Sequence, residues 1–78
     1  MSIATLRFSG ARLRALREAA LMTREDVAVA IGRGYMTISA YEADAYAPPG
    51  NVRGKLARIL GCTPADLMVI EEVKPDDA

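Results

Sequence analysis

Residues 23–42, TREDVAVAIGRGYMTISAYE, set two short helical periodicities on either side of Gly32-Arg33-Gly34. A link that short forces two helices to cross steeply. Thr23 stands before Arg24-Glu25-Asp26, a hydroxyl cap followed by carboxylates where the first-turn amides and the helix dipole favour them. Val27, Ala28, Ala30 and Ile31 run out at Gly32, which takes a positive φ at little cost and stops the helix after about two turns. Gly34 then caps a further helix from Tyr35 to about Ala43, with Ile38 and Tyr41 on its inner face. Only small side chains fit where the two axes cross, which gives Ala28 its reason.

The flanking segments supply three more helices and leave two ends open. Ser9 or Gly10 opens a helix over about 10–21, with Leu13, Leu16, Ala20 and Leu21 at helical spacing. Pro48-Pro49-Gly50 breaks the chain, and Asn51 leads into VRGKLARIL, where Val52, Leu56, Ile59 and Leu60 make an apolar stripe that Gly61 ends. Thr63-Pro64-Ala65-Asp66 reads as cap, proline at the first helical position and acidic first turn of a short fifth helix carrying Leu67, Met68 and Ile70. The expectation is therefore an all-α domain of five helices over residues 10–70, with an N-terminal arm (1–9), where IATLRF suggests a short strand, and an acidic tail (71–78) frayed at its end. Two readings of LMVIEEV stay open. It is a strand pairing with the N-terminal segment, within one chain or between two, or its Leu67 and Ile70 cover the bottom of the core.

Charge distribution narrows the function more than the balanced total does. Residues 1–60 carry nine basic side chains against five acidic ones, and residues 61–78 carry one against five. A basic body with an acidic tail hints at contact with a polyanion. The chain has no histidine, and its single cysteine, Cys62, sits beside a helix end. With no glycine-rich phosphate loop and no pair of carboxylates in a cleft, acid–base and nucleophilic chemistry lack their ingredients, so no enzyme, metal or cofactor is expected. No helix joins a wide apolar face to a lysine-rich one, which argues against a membrane. A lone cysteine and the absence of an apolar leader in residues 1–10 place the expectation in the cytoplasm.

GARLRALREAA, MTREDVAVAIG, TISAYE, the proline break and LARILGCTPADLM follow one another in an order that resembles the phage-repressor and Cro-like helix-turn-helix family, the XRE family. The resemblance covers about residues 8–69. It implies a compact lambda-repressor-like domain whose helix 35–43 reads the DNA major groove as a transcriptional regulator of repressor type. It also implies that Arg17, late in the first helix, pairs with Glu42, which closes the third. By position, Arg24 takes the place of a glutamine that contacts phosphate, and Tyr35, Met36, Thr37, Ser39 and Ala40 hold the outward positions that face bases. Arg33 in the turn, with Tyr46 and Asn51 in the following loop, are the candidates for the flanking backbone.

Two departures from the family pattern bear on that reading. Helix 35–43 has no arginine, lysine, glutamine or asparagine, the side chains that make paired hydrogen bonds to base edges. Thymine methyls, a hydroxyl and DNA shape are left to carry the readout. Asp44 stands where a glycine is common, and is expected to repel phosphate locally. So small a reader makes few phosphate contacts, so a homodimer on two half-sites is expected, joined through Met68, Val69, Ile70 and Val73 or through IATLRF. The alternative is that the same fold serves as a protein-interaction module of antirepressor or antitoxin type, with the exposed Tyr35-Met36 pair or the C-terminal segment meeting a protein partner.

Overall fold

The computed structural model describes residues 3–73 as four α-helices and a two-stranded antiparallel sheet. In chain order these are β1 (Ile3–Phe8), α1 (Gly10–Ala19), α2 (Arg24–Ile31), α3 (Tyr35–Glu42), α4 (Gly50–Leu60) and β2 (Met68–Val73). Each boundary has a local cause. Ser9 accepts from the Arg12 amide at the start of α1. Thr23 and Asp26 form a reciprocal capping box on α2, at 2.9 and 3.0 Å. Gly32 and Gly61 close α2 and α4 with φ of 71° and 69°.

One core joins the four helices. Leu13, Val27, Ala28, Ile31, Ile38, Tyr41, Val52, Leu56, Ala57 and Leu67 are buried in it, and Phe8 carries it to the base of the sheet. Ala28 is buried in α2 with almost no exposed surface. The first helix departs from its expected stripe. It ends at Ala19, Ala20 is exposed, and Leu21 turns into the left-handed region at φ 58° with 92% of its surface in solvent. The inward position one turn after Leu13 goes to Arg17, so a charged residue completes the buried face.

The expected all-α, five-helix fold is corrected at the C-terminal end. Thr63 and Asp66 do form the capping box, but only a four-residue 3-10 turn follows, Pro64–Leu67. Leu67 drops into the core, and its carbonyl accepts from the Ser9 amide at 2.9 Å, which draws the chain into an antiparallel ladder. The register runs from Phe8↔Met68 to Ile3↔Val73 within the one chain. Ile70 is thereby turned to solvent, 73% exposed, instead of covering the core. The strand also takes in residues 71–73 of the expected tail, and the frayed end foreseen for residues 74–78 lies outside the described residues. Asn51, expected in a loop, is in the first turn of α4.

Among the described residues, no helix is long and apolar enough to cross a membrane.

Candidate nucleic-acid interface

The site is built from the turn between α2 and α3. Beyond Ile31 the left-handed Gly32 lets the Gly32 amide donate to Val29 O at 3.2 Å and the Arg33 amide to Ala28 O at 2.9 Å, so the carbonyls at the end of α2 are satisfied as the chain reverses. Gly34 then opens α3 with no side-chain cap. On the inner face of α3, Ile38 and Tyr41 are buried, and the Tyr41 ring meets Phe8 and Tyr46 edge to face at 6.3 and 5.5 Å. On the outer face Tyr35 is exposed and Met36 is 77% exposed. Thr37, Ser39 and Ala40 are half-buried along its flanks.

Glu42 fastens this helix from behind. Its carboxylate, with 3% of its side chain exposed, accepts from Arg17 Nε at 2.6 Å and from Arg17 Nη2 at 3.2 Å, a two-point pair. Arg24 Nε reaches the same carboxylate at 3.0 Å. Arg17 Nη1 also donates to Met22 O at 2.9 Å, tying the α1–α2 link into the cluster. Burial alone pushes the Glu42 carboxyl up, but the hydrogen bonds and charges of Arg17 and Arg24 outweigh it and hold the group below the ordinary glutamate range. Three helices are thus pinned by one buried anion. Two guanidinium groups on one carboxylate leave an excess positive charge, and Arg24, a third of its side chain exposed, carries it toward solvent.

Arg24 Nη1 also lies 3.4 Å from the Tyr35 hydroxyl, a long hydrogen bond that lowers the tyrosine's titration range and raises that of the arginine. Arg14, Thr23, Arg24, Glu25 and Tyr35 border a shallow polar depression at the start of α2. Arg24, Tyr35 and the Arg17–Glu42 pair therefore form one connected group. Tyr46 joins it only through the Tyr41 ring. Arg33 is exposed and donates to Gly32 O at 3.3 Å, and Asn51 is exposed on α4. Neither bonds to another candidate among the described residues. α3 and α4 both begin without a side-chain cap, in contrast to α1 and α2, and neither has an acidic first turn.

Two supports of α3 escaped sequence reasoning. Gly10 packs so tightly beneath the end of α3 that a Cβ there would overlap the Tyr41 and Glu42 carbonyl groups. Asp44 sits at φ 58°, which explains why a glycine suits this position, and its carboxylate accepts from the Gly10 amide at 2.8 Å. With Arg7 also 3.9 Å away, the Asp44 charge faces the start of α1 and caps its first amide. The signal for both was faint: a glycine opening a helix and an aspartate closing one.

A search of curated proteins found no match. The family model described as "Helix-turn-helix domain" matches residues 10–68, from the first residue of α1 to the first of β2, which takes in the crossed pair and every residue of the Glu42 cluster. Most of the chain is covered by that match, and the protein belongs to the helix-turn-helix domain family.

Proposed function

We propose that this domain is a sequence-specific transcriptional regulator of repressor type that reads the DNA major groove with α3. The observation that carries the reading is the two-sided character of that helix. Ile38, Tyr41 and Glu42 hold it from within, while Tyr35 and Met36 are 44% and 77% exposed on the other side. In this reading Arg24 meets a phosphate with its excess charge, the Tyr35 hydroxyl meets the same strand, and Met36, Thr37, Ser39 and Ala40 face base edges and thymine methyls. Arg33, Tyr46 and Asn51 meet the flanking backbone, aided by the uncapped amides that open α3 and α4. The role is non-enzymatic and needs no cofactor. The protein acts as a homodimer on two half-sites about one helical turn apart.

A second reading is favoured by the composition of α3, YMTISAYE, which lacks every side chain that makes paired bonds to a base. There the exposed Tyr35-Met36 face docks on a protein, and DNA binding is weak or absent. Selection from random duplex DNA at two salt concentrations separates the two. Enrichment of a two-fold-symmetric site that persists at the higher salt supports the regulator; featureless, salt-labile binding or none supports the protein-interaction role.

A further inference from the structure

Among the described residues, no third strand joins the β1–β2 ribbon. An isolated two-stranded ribbon is marginal in water, yet here residues 3–7 and 70–72 are all exposed. Leu6 and Ile70 are directly opposed and 68% and 73% exposed. The Ser9 amide bonds to Leu67 O one step beyond Phe8↔Met68, and Thr5 Oγ1 donates to Glu71 O at 3.4 Å. Pairs alternate between bonded and non-bonded in an antiparallel ladder. Arg7/Val69, Thr5/Glu71 and Ile3/Val73 are therefore the bonded pairs, and the amides and carbonyls of Ala4 and Leu6 point outward from the β1 edge. Those of Ile70 and Glu72 point outward from the β2 edge.

We infer that two copies of this chain join through the β1 edge, antiparallel, about a two-fold axis at Thr5. The inference names the interface of the homodimer stated above and rests on that homodimer, not on DNA. In this register Ala4 bonds with Leu6 of the second copy, Leu6 with its Ala4, and the two Thr5 residues face each other as a non-bonded pair. Ile70, Leu6 and the second copy's Ala4 then lie in one row on the same sheet face, and the mirror row lies beside it. Arg7 falls opposite Ile3 of the second copy, so no like charges meet.

The β2 edge is the poorer choice. Pairing Ile70 with Glu72 there brings the two Glu71 carboxylates face to face. Pairing Ile70 with Ile70 drives position 73 of one copy against Leu67, which is buried in the helical body. Through β1 the two bodies sit at opposite ends of a four-stranded sheet, with the Phe8 positions about 20 Å apart along the strands. The strand contact is short, so the dimer is weak in solution.

Cysteine cross-linking without DNA tests the register in a Cys62→Ala background. A non-bonded antiparallel pair brings its Cα atoms to about 4.5 Å, within disulfide reach. Thr5→Cys is expected to give a covalent dimer under mild oxidation, while Glu72→Cys, on the other edge, stays monomeric. In sedimentation of the unaltered chain, a concentration-dependent dimer is expected. Ala4→Pro, which removes an outward amide and none of the β1–β2 bonds, is expected to abolish it while keeping the helical circular dichroism. Monomer at every concentration, equal cross-linking of Glu72→Cys, or an unchanged dimer in Ala4→Pro overturns the inference. Because DNA is absent throughout, failure of the groove reading leaves these results untouched.

Discussion

The inner and outer faces of α3 are made of different materials. Inward, Ile38 and Tyr41 fill the core and Glu42 binds two arginines, and among the described residues no fully buried side-chain nitrogen or oxygen lacks a partner. Outward, Met36 is 77% exposed and Tyr35 44%, with the Tyr35 hydroxyl held by a long hydrogen bond from Arg24. The contrast separates holding the helix from using it. A residue on the first face acts through stability, and one on the second acts through recognition, so substitutions on the two should fail in different assays.

The largest effect belongs to the core. Ile38→Asp puts a charge where no solvent reaches and is expected to cost about 4 kcal/mol or more, enough to unfold a small domain whose whole stability is about 5 kcal/mol. Loss of helical circular dichroism at room temperature checks it; a folded Ile38→Asp variant would show that the inner and outer faces are assigned the wrong way round. Next comes Glu42→Ala, expected to cost about 3 kcal/mol because it leaves Arg17 buried without its anion. Combining it with Arg17→Ala should cost much less than the sum of the two single losses. Additivity would mean that the pair does not couple α1 to α3.

Acid should sharpen the same point. Glu42 titrates lower when folded than in the unfolded chain, where a glutamate sits near about 4.3, so its contribution is complete above that value and fades as pH falls through the folded one. The stability gap between the wild type and Glu42→Gln should therefore narrow below about pH 4. A gap that stays constant in chemical denaturation down that range would mean that the carboxylate charge is not what holds α3. Gly10→Ala is expected to cost about 2 kcal/mol through overlap with the end of α3, read as a lowered melting temperature.

The outer face should answer only in binding. Arg24→Ala is expected to weaken association with all duplexes and to lower the salt slope by about 1. Its stability loss should stay below about 1 kcal/mol, since Arg24 is partly exposed and Arg17 still holds Glu42. The smallest effect is Met36→Ala or Ser39→Ala, expected to shift preference between sites by about 1 kcal/mol with an unchanged melting temperature. If these variants bind every duplex as the parent does, α3 makes no base contact.

The sequence was most informative where causes are local. Thr23 with Asp26, Gly32 and the Ile38/Tyr41 spacing fix the crossed pair within 20 residues of one another, and each is found where its chemistry puts it. Leu21 and Ile70 misled because helical spacing alone cannot say where a helix stops. The first helix ends at Ala19, so Arg17 is its last inward residue and Leu21 falls outside it, and a partner strand at the other end of the chain took Ile70. LMVIEEV suits either period, so only the pairing with β1 decides it. Nothing in composition or spacing joins Arg17 to Glu42 across 25 residues; that link came from resemblance, and the structure adds Arg24 to it. The capping role of Asp44 is not legible locally because its partner, the Gly10 amide, lies 34 residues earlier.

The central claim is that the outer face of α3 enters the groove of a duplex. Titrating isotope-labelled protein with its selected duplex at physiological salt and following backbone amides by NMR tests it most directly. The account predicts the largest shifts at Tyr35, Met36, Thr37 and Ser39, with a second cluster at Arg24 and the first turn of α4. Shifts confined to the ribbon or to α1, with α3 silent, would contradict it.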